Sequence, residues 1–389
     1  MGEGRAEVGK IKDVFDGKYY KHLLQKDCQV NGHSVGAFFS GKRDLALGLS
    51  SDSFSPFKKR KHLAWPLIVF NYNFSPLTRF RLNNILCLGV IPGPRAPKDI
   101  DSFLVPLVDE LMLLAQGIKA FDRSDSEFFD LRAHLIKVFG DMPAMAKLMW
   151  MKGHNAIKPC RMCNIYGLRT PGSCATSHYV PLNRSQHPEC GDIRFYRPNI
   201  LPKRTHEQIL SQAREIQEAD TRSRANALST EYGINGHSQF HWVPSIKFPE
   251  CMPHDFMHLI WENLIKNLIA LWTGNYKDLG NDDYTIPPDV WRGISEAAAA
   301  SGSTIPSTFG AKVPDFSARP SEMIAETWSF FMLHLAPILL HGKFPNTTYY
   351  HHFIQLVNLL HLCMSLEITE DQVDELDVGF CQWAIDYER

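Results

Sequence analysis

Four side chains with sulfur and nitrogen donors have the spacing of a metal site. Cys160 and Cys163 form a CxxC pair, and His254 and His258 form an HxxxH pair. Thiolate and imidazole are the ligands that Zn²⁺ favours, and four of them complete a tetrahedral site. Two histidines four residues apart lie on one face of an α-helix, which favours a shared metal ion. We therefore predict a zinc site that joins the CxxC segment to a helix beginning near Pro253.

The sequence allows two alternative metal sites. The HxxxH pair resembles the HExxH pattern of zinc proteases, with Glu262 as a third ligand, but Asp255 stands where the general base is normally Glu. This zincin-like metallohydrolase also leaves the CxxC pair without partners. A second set of Cys and His residues has a spacing that matches no known zinc pattern, and unliganded loop residues are the simpler interpretation. These residues are Cys174, His178, His187 and Cys190.

Two aspartates each follow a predicted strand. Asp52 comes just after the strand-like segment 45–51, and Asp141 just after the segment 131–139. If these strands are neighbours, both carboxylates lie at one edge of the sheet, where they repel each other unless a cation such as Mg²⁺ lies between them. Two such ions can support phosphoryl transfer. The alternative is that each Asp is a turn residue or a helix N-cap, and Asp141 before Met-Pro-Ala fits a cap.

The order of the elements around these aspartates predicts the fold. Strand-like segments at 45–51, 63–72 and 82–91 precede a helical pattern that starts at Asp101. A strand at 131–139 and a helix over 143–151 follow. This β-β-β-α-β-α order is that of the ribonuclease-H-like fold, so we predict the α/β (α+β) class, with a mixed sheet as its core.

The rest of the chain is predicted to be a large, mostly helical insertion and C-terminal helices. Residues 167–203 are rich in Pro, Gly, Ser and Asn and indicate a long loop. Six helical segments follow, at 205–220, 254–273, 286–299, 321–341, 349–366 and 369–387. We divide the chain into a lead-in (1–40), a core with the CxxC pair (41–166), an insertion (167–250) and a helical region (251–389).

The composition limits the class of protein and the cell compartment that we expect. The 389 residues carry a formal net charge of −1, so no overall basic field marks a nucleic-acid binder. One local run, Lys58-Lys59-Arg60-Lys61, is a candidate phosphate contact, although a charge run is usually a solvated face. Nine cysteines and a polar start do not indicate a secreted disulfide scaffold, and no apolar run reaches the length of a membrane span. We expect an intracellular protein of the nucleus or cytoplasm.

Four segments together resemble CACTA (En/Spm)-type transposases, particularly the fungal Tnp-like family. They are residues 48–57, 159–163, 219–224 and 252–263, and the similarity runs from about residue 10 to about residue 370. The core of this family is similar to the catalytic subunit of the V(D)J recombinase. There a CxxC pair follows the second catalytic Asp, and a His pair precedes the catalytic Glu.

The resemblance implies a DDE/D transposase with a ribonuclease-H-like core. Asp52 and Asp141 become the first two catalytic acids, and Glu262 is favoured over Glu326 as the third. These acids would hold Mg²⁺ or Mn²⁺, and Cys160, Cys163, His254 and His258 would hold Zn²⁺. The implied partners are DNA at the transposon terminal repeats and at the target. The implied location is the nucleus, and a homo-oligomer is expected because two DNA ends must be held together.

The chain departs from the family at one position beside the proposed site. Ser53 stands where the family usually has Gly, directly after the first Asp. A non-catalytic DNA-binding or scaffold protein of the same fold is therefore the alternative. Trp65 and Trp261 are candidates for stacking on a DNA base, with packing in the core as the more common role for a tryptophan.

Overall fold

A computed structural model describes residues 9–57, 63–93, 97–171, 178–277, 279–310 and 312–389 of the chain. The chain divides into two compact units, Met1–His254 and Asp255–Arg389. Strands and helices are both present in the first unit, as the predicted α+β class requires.

The elements of the first unit alternate along the chain. Its strands are β1 (Lys10–Ile11), β2 (Asp27–Val30), β3 (His33–Ala37), β4 (Leu45–Ser51), β5 (Ala64–Asn71), β6 (Ile85–Pro92), β7 (Ile118–Asp122), β8 (Glu127–Leu131) and β9 (Ala133–Phe139). Its α-helices are α1 (Lys18–Leu23), α2 (Asp101–Gln116), α3 (Met142–Leu148), α4 (His206–Gln217) and α5 (Arg222–Tyr232). Short 3₁₀ turns cover Val14–Asp16, Leu82–Asn84, Pro198–Ile200 and Gln239–Trp242.

A four-stranded mixed sheet has the predicted strand order. The strands lie in the order β6-β5-β4-β9; the first three are antiparallel, and β9 runs parallel to β4. Parallel neighbours need a long crossover connection, which contains α2. The predicted α+β class with a mixed sheet is therefore confirmed. The connection also contains a hairpin of β7 and β8, which the apolar pattern did not reveal.

Strand β4 is buried on both faces of the sheet, whereas the edge strand β6 is mostly exposed. Leu47 and Leu49 of β4 pack in one cluster with α2, which explains the nearly continuous apolar sequence of this strand. Ala46 of β4 lies in a second cluster with Val30 and Phe38. The N-terminal segment, predicted only as a lead-in, therefore contributes the cover of the second face.

The second unit is mainly helical. Its helices are α6 (Ile265–Trp272), α7 (Pro288–Ser301), α8 (Ala325–Phe330), α9 (Ala336–Leu339), α10 (Thr347–Cys363) and α11 (Glu370–Tyr387). Two π-helical segments (Met257–Leu264 and Phe331–Leu335), two 3₁₀ turns (Ser307–Phe309 and Pro320–Glu322) and the short strand β10 (Ile368–Thr369) complete it. In the described ranges, no helix combines the length and the apolar character that crossing a membrane requires.

Candidate active site and metal ligands

Asp52 and Asp141 follow the ends of two neighbouring parallel strands. Ser50 of β4 pairs with Phe139 of β9, so the same register places position 52 beside position 141. Adjacent strands lie about 4.8 Å apart, and parallel strands end at the same edge. The two aspartates therefore follow the same edge of the sheet, as the strand order predicted.

Gly140 allows these two strand ends to approach closely. A Cβ atom at this position would lie 2.3 Å from the carbonyl oxygen of Ser51 and 3.4 Å from the Cβ of Ala144. Real Cβ atoms do not come that close to a backbone oxygen, so any larger residue would push β4 away from the start of α3. The spacing of acidic residues in the sequence did not single out this glycine.

Asp52 lies in a short gap in the ladder between β4 and β5. Ser51 pairs with Leu67, and pairing resumes where Phe54 and Ala64 exchange hydrogen bonds of 3.0 and 2.9 Å. The same register places Asp52 beside Pro66, which has no N–H to donate. Regular pairing therefore stops at Ser51.

The serine that follows Asp52 does not strain the backbone. Ser53 is absent from the described non-glycine residues with positive φ, so its conformation is one that any residue adopts. The backbone at position 53 therefore does not require the Gly that the family usually has there.

Asp141 is the N-cap of α3. Its Oδ1 atom accepts the backbone N–H of Ala144 at 2.6 Å, and Pro143 occupies the first turn. The cap interpretation of Asp141 is confirmed. It fixes the position of the carboxylate at the sheet edge and leaves Oδ2 outside this hydrogen bond, so the catalytic role stays a prediction.

In the CxxC pair, the environment of Cys160 stabilises the thiolate form of its sulfur. A hydrogen bond from the Cys163 thiol is the main factor that lowers the pKa of Cys160 to about 6. The backbone N–H of Met162 adds a hydrogen bond to the same sulfur, at 3.3 Å. The shared proton and burial raise the pKa of Cys163. Thiolates are the metal-binding form of cysteine, so Cys160 has the chemistry of a zinc ligand.

A buried arginine ties the CxxC pair to the segment before His254. Arg161 donates from Nε to the carbonyl oxygen of Met252 at 3.0 Å and from a terminal nitrogen to that of Pro253 at 2.6 Å. His254 is exposed, yet partial desolvation and then the charge of Arg161 lower the pKa of its ring. A neutral imidazole is the form that binds a metal.

The helix predicted from Pro253 begins later than expected. Asp255 accepts the backbone N–H of His258 at 3.0 Å, so the helix starts after Asp255 and His254 precedes it. The first turns, Met257–Leu264, are π-helical. The prediction of His254 and His258 on one α-helical face is therefore wrong, because Asp255 caps the start of the helix and leaves His254 outside it. The zincin-like alternative requires the same two histidines on one α-helix, so this segment does not support it either.

The two candidates for the third acid both lie in the second unit. Glu262 lies in the π-helical segment and forms an ion pair with Lys266, one turn further along. Glu326 is exposed in the first turn of α8, where its Oε1 would lie 2.3 Å from a Cβ on Gly310. Helix α8 packs against the π-helical segment, so both candidates belong to one packed region.

The described residues do not form a complete metal site. In those ranges, no three side chains of His, Cys, Asp or Glu lie close enough together to hold a metal ion. The sulfur pair fits zinc chemistry, while the arrangement of the imidazoles with it stays a prediction.

The structure also describes the two candidate stacking tryptophans and three of the four Cys and His residues of the long loop. Trp65 and Trp261 are only 3% and 4% exposed, so the packing interpretation is confirmed for both. His178, His187 and Cys190 each contact a backbone carbonyl oxygen, at 2.9, 2.7 and 3.5 Å, and their interpretation as unliganded residues stays a prediction. Cys174 and the basic run Lys58, Lys59, Arg60 and Lys61 lie outside the described residues.

Comparison with known proteins supports a transposase role. Residues 12–180 match the transposase family tnp2. The matched range contains Asp52, Asp141 and the CxxC pair, and it ends before the His pair and both candidate third acids. The match implies DNA as a partner. No curated protein matches the chain.

Proposed function

We propose that this chain is the catalytic region of a DDE/D transposase of the CACTA type. It cleaves DNA at the terminal repeats of a transposon and joins the ends to target DNA, in the nucleus and as a homo-oligomer. The proposal is supported by the similarity of residues 12–180 to tnp2 transposases. The observation that carries it is the parallel pairing of β4 and β9, which brings Asp52 and Asp141 to the same edge of the sheet.

In this function Asp52, Asp141 and Glu262 hold Mg²⁺ or Mn²⁺, with Glu326 as the alternative third acid. Two such ions would supply activation of a water molecule or a 3′-hydroxyl and stabilisation of the leaving oxygen of the phosphodiester. The protein aligns the acids. The N–H of Ala144 orients Asp141, and the bridge at Phe54 holds the chain that carries Asp52.

The test is nicking of supercoiled plasmid DNA by the full chain in Mg²⁺ or Mn²⁺, with EDTA as the blank. Asp52→Asn and Asp141→Asn should each reduce nicking to the EDTA level. The control is Asp130→Asn, which changes an exposed carboxylate paired with Lys119. Full nicking by either variant would refute the assignment of that acid.

The same assay identifies the third acid. We expect Glu262→Gln to abolish nicking and Glu326→Gln to retain it. The opposite result would transfer the role to Glu326, and nicking by both variants would refute a third acid at either position.

We also propose that zinc binds Cys160, Cys163, His254 and His258. In this role Cys160 supplies a thiolate, and Arg161 holds the segment before His254 beside the sulfur pair. The measurement is zinc content and X-ray absorption of the purified chain, which should show one ion with two sulfur and two nitrogen ligands. Cys160→Ser should lose the ion, whereas Cys87→Ser, at an exposed cysteine, should retain it. A site of nitrogen and oxygen ligands alone would refute the proposal.

A non-catalytic DNA-binding protein of the same fold is the second candidate. It is favoured by the structural roles of two proposed acids, since Asp141 caps α3 and Glu262 pairs with Lys266. Binding of DNA by the unmodified chain without metal-dependent nicking would select this function.

A further inference from the structure

A basic cavity lies beside α3, about one helical turn from Asp141. Its volume is about 450 Å³, which is within the usual size of small-molecule sites. The lining includes Lys98, Lys147, Lys152 and His154, and none of the twelve described residues that line it is acidic. Such a lining favours an anionic ligand.

Trp150 is one of the residues that line the cavity. This residue has a positive φ of 53°, a conformation that a large side chain rarely adopts. Its N–H donates to the carbonyl oxygen of Lys147 at 3.1 Å, and its own carbonyl oxygen accepts the N–H of Asn235 at 2.6 Å. The fold therefore holds an unfavourable backbone conformation at the point where the ring meets the cavity.

The ring itself is also held in place. The side chain of Trp150 lies beside Asp101, a carboxylate that is only 7% exposed. A Cβ on Gly236 would lie 3.4 Å from the ring, so the backbone there is in close contact with it. A ring fixed before a ligand arrives loses little freedom on binding, which suits a stacking surface.

The cationic groups of the cavity differ in their existing contacts. Lys147 donates to the carbonyl oxygen of Pro97 at 3.3 Å, which ties it to the wall. Lys98, Lys152 and His154 are exposed at the cavity. Fixed aromatic rings next to exposed cations are how proteins bind single-stranded nucleic acid, by stacking on bases and pairing with phosphates.

We propose that this cavity binds one nucleotide of single-stranded DNA, with the base stacked on Trp150 and the backbone phosphates contacted by Lys98, Lys152 and His154. The choice of DNA as the ligand rests on the proposed function. Because α3 carries both the cavity wall and the Asp141 cap, the bound nucleotide lies within a few nucleotides of the phosphodiester at the sheet edge.

The test is binding of a fluorescently labelled single-stranded oligonucleotide to the full chain, measured by anisotropy over a range of salt concentrations. Trp150→Asn removes the ring but keeps a residue that tolerates positive φ. It should weaken binding by about 5- to 150-fold, the range for loss of one base–aromatic stack. Trp150→Phe should lose less. Thermal unfolding of each variant establishes that it is folded.

The phosphate contacts have a separate signature. The double variant Lys98→Gln/Lys152→Gln should reduce the slope of log affinity against log salt by about 1.4, at roughly 0.7 per phosphate contact on a single strand. The matched control is Lys42→Gln, an exposed lysine near the start of β4, at the opposite end of that strand from Asp52. This control should leave both the affinity and the slope unchanged.

Several results would overturn the proposal. They are unchanged binding by folded Trp150→Asn, an unchanged salt slope in the double variant, competition by free dAMP as strong as by the oligonucleotide, or a preference for RNA. Failure of the cavity and failure of the transposase function are distinguishable. If the unmodified chain nicks DNA but Trp150→Asn binds the oligonucleotide normally, only the cavity proposal is refuted. If the variants show the expected binding effects but the unmodified chain does not nick DNA, only the proposed cleavage activity is refuted.

Discussion

A Cβ atom on Gly140 would lie 2.3 Å from the carbonyl oxygen of Ser51. These two residues immediately precede Asp141 and Asp52, so their close contact sets the separation of the two strand ends. The position of the candidate acids therefore depends on a residue without a side chain.

Gly140→Ala should destabilise the first unit. The added methyl group must displace backbone rather than a flexible side chain, so we expect a loss of about 1–3 kcal/mol, as for other overpacked sites. Denaturant unfolding measures this change. The matched control is Gly89→Ala in β6, where nothing lies within 4 Å of the new Cβ and no loss of stability is expected. Equal stability of the two variants would contradict the contact.

Asp141 has two roles that substitution can separate. Asn is as good an N-cap as Asp, whereas Ala loses about 1 kcal/mol of helix stability. Asp141→Asn should therefore keep the unfolding free energy and lose nicking activity, while Asp141→Ala should lose both. If Asp141→Asn keeps both its stability and its nicking activity while Asp141→Ala loses both, Asp141 acts only as an N-cap.

His134 should make the stability of the first unit sensitive to pH. The ring is 2% exposed and lies between Phe38 and Phe39, at centroid distances of 4.9 and 4.8 Å. Burial, and then the charge of Arg132, lower its pKa from 6.5 to about 4. The folded state thus binds fewer protons than the unfolded state in this window. The stabilising contribution is present above pH 6.5 and is lost as the pH falls towards 4.

The size of this effect is roughly 3 kcal/mol as an upper limit, at about 1.4 kcal/mol for each pKa unit. Unfolding free energies measured from pH 7 to pH 4 should fall less steeply in His134→Leu than in the unmodified chain. Substitution of His33, an exposed histidine of β3, should leave the slope unchanged. An identical slope for His134→Leu would show that another group controls the acid sensitivity.

Arg161 should matter for both folding and zinc retention. Arg161→Lys keeps the charge but cannot reproduce two hydrogen bonds from one planar group to Met252 and Pro253. We expect a loss of about 1–3 kcal/mol in unfolding free energy and faster release of zinc to a chelator. Arg169→Lys, at an exposed arginine, is the control. An unchanged rate of zinc release in Arg161→Lys would show that the hydrogen bonds of Arg161 to Met252 and Pro253 do not support the metal site.

The sequence predicts the four strands of the central sheet, whereas the position of β9 beside β4 was only a condition of that prediction. Apolar alternation and the position of α2 predict β4, β5, β6 and β9, because burial on both faces requires long apolar segments and a parallel partner requires a crossover. The chain positions of Asp52 and Asp141 then follow from the ends of β4 and β9. The same pattern could not decide whether Asp141 caps α3, since a cap and a metal ligand use the same side chain.

The choice of the N-cap and the contacts between distant residues were visible only in the three-dimensional structure. Asp255 delays the start of the helix and excludes His254 from it, although the HxxxH spacing predicted otherwise. The contact of Gly140 with Ser51 and the proximity of Trp150 to Asp101 join residues that are far apart in the chain. Periodicity reports which face of an element is buried, but not which backbone atom or carboxylate lies on the other side of the contact.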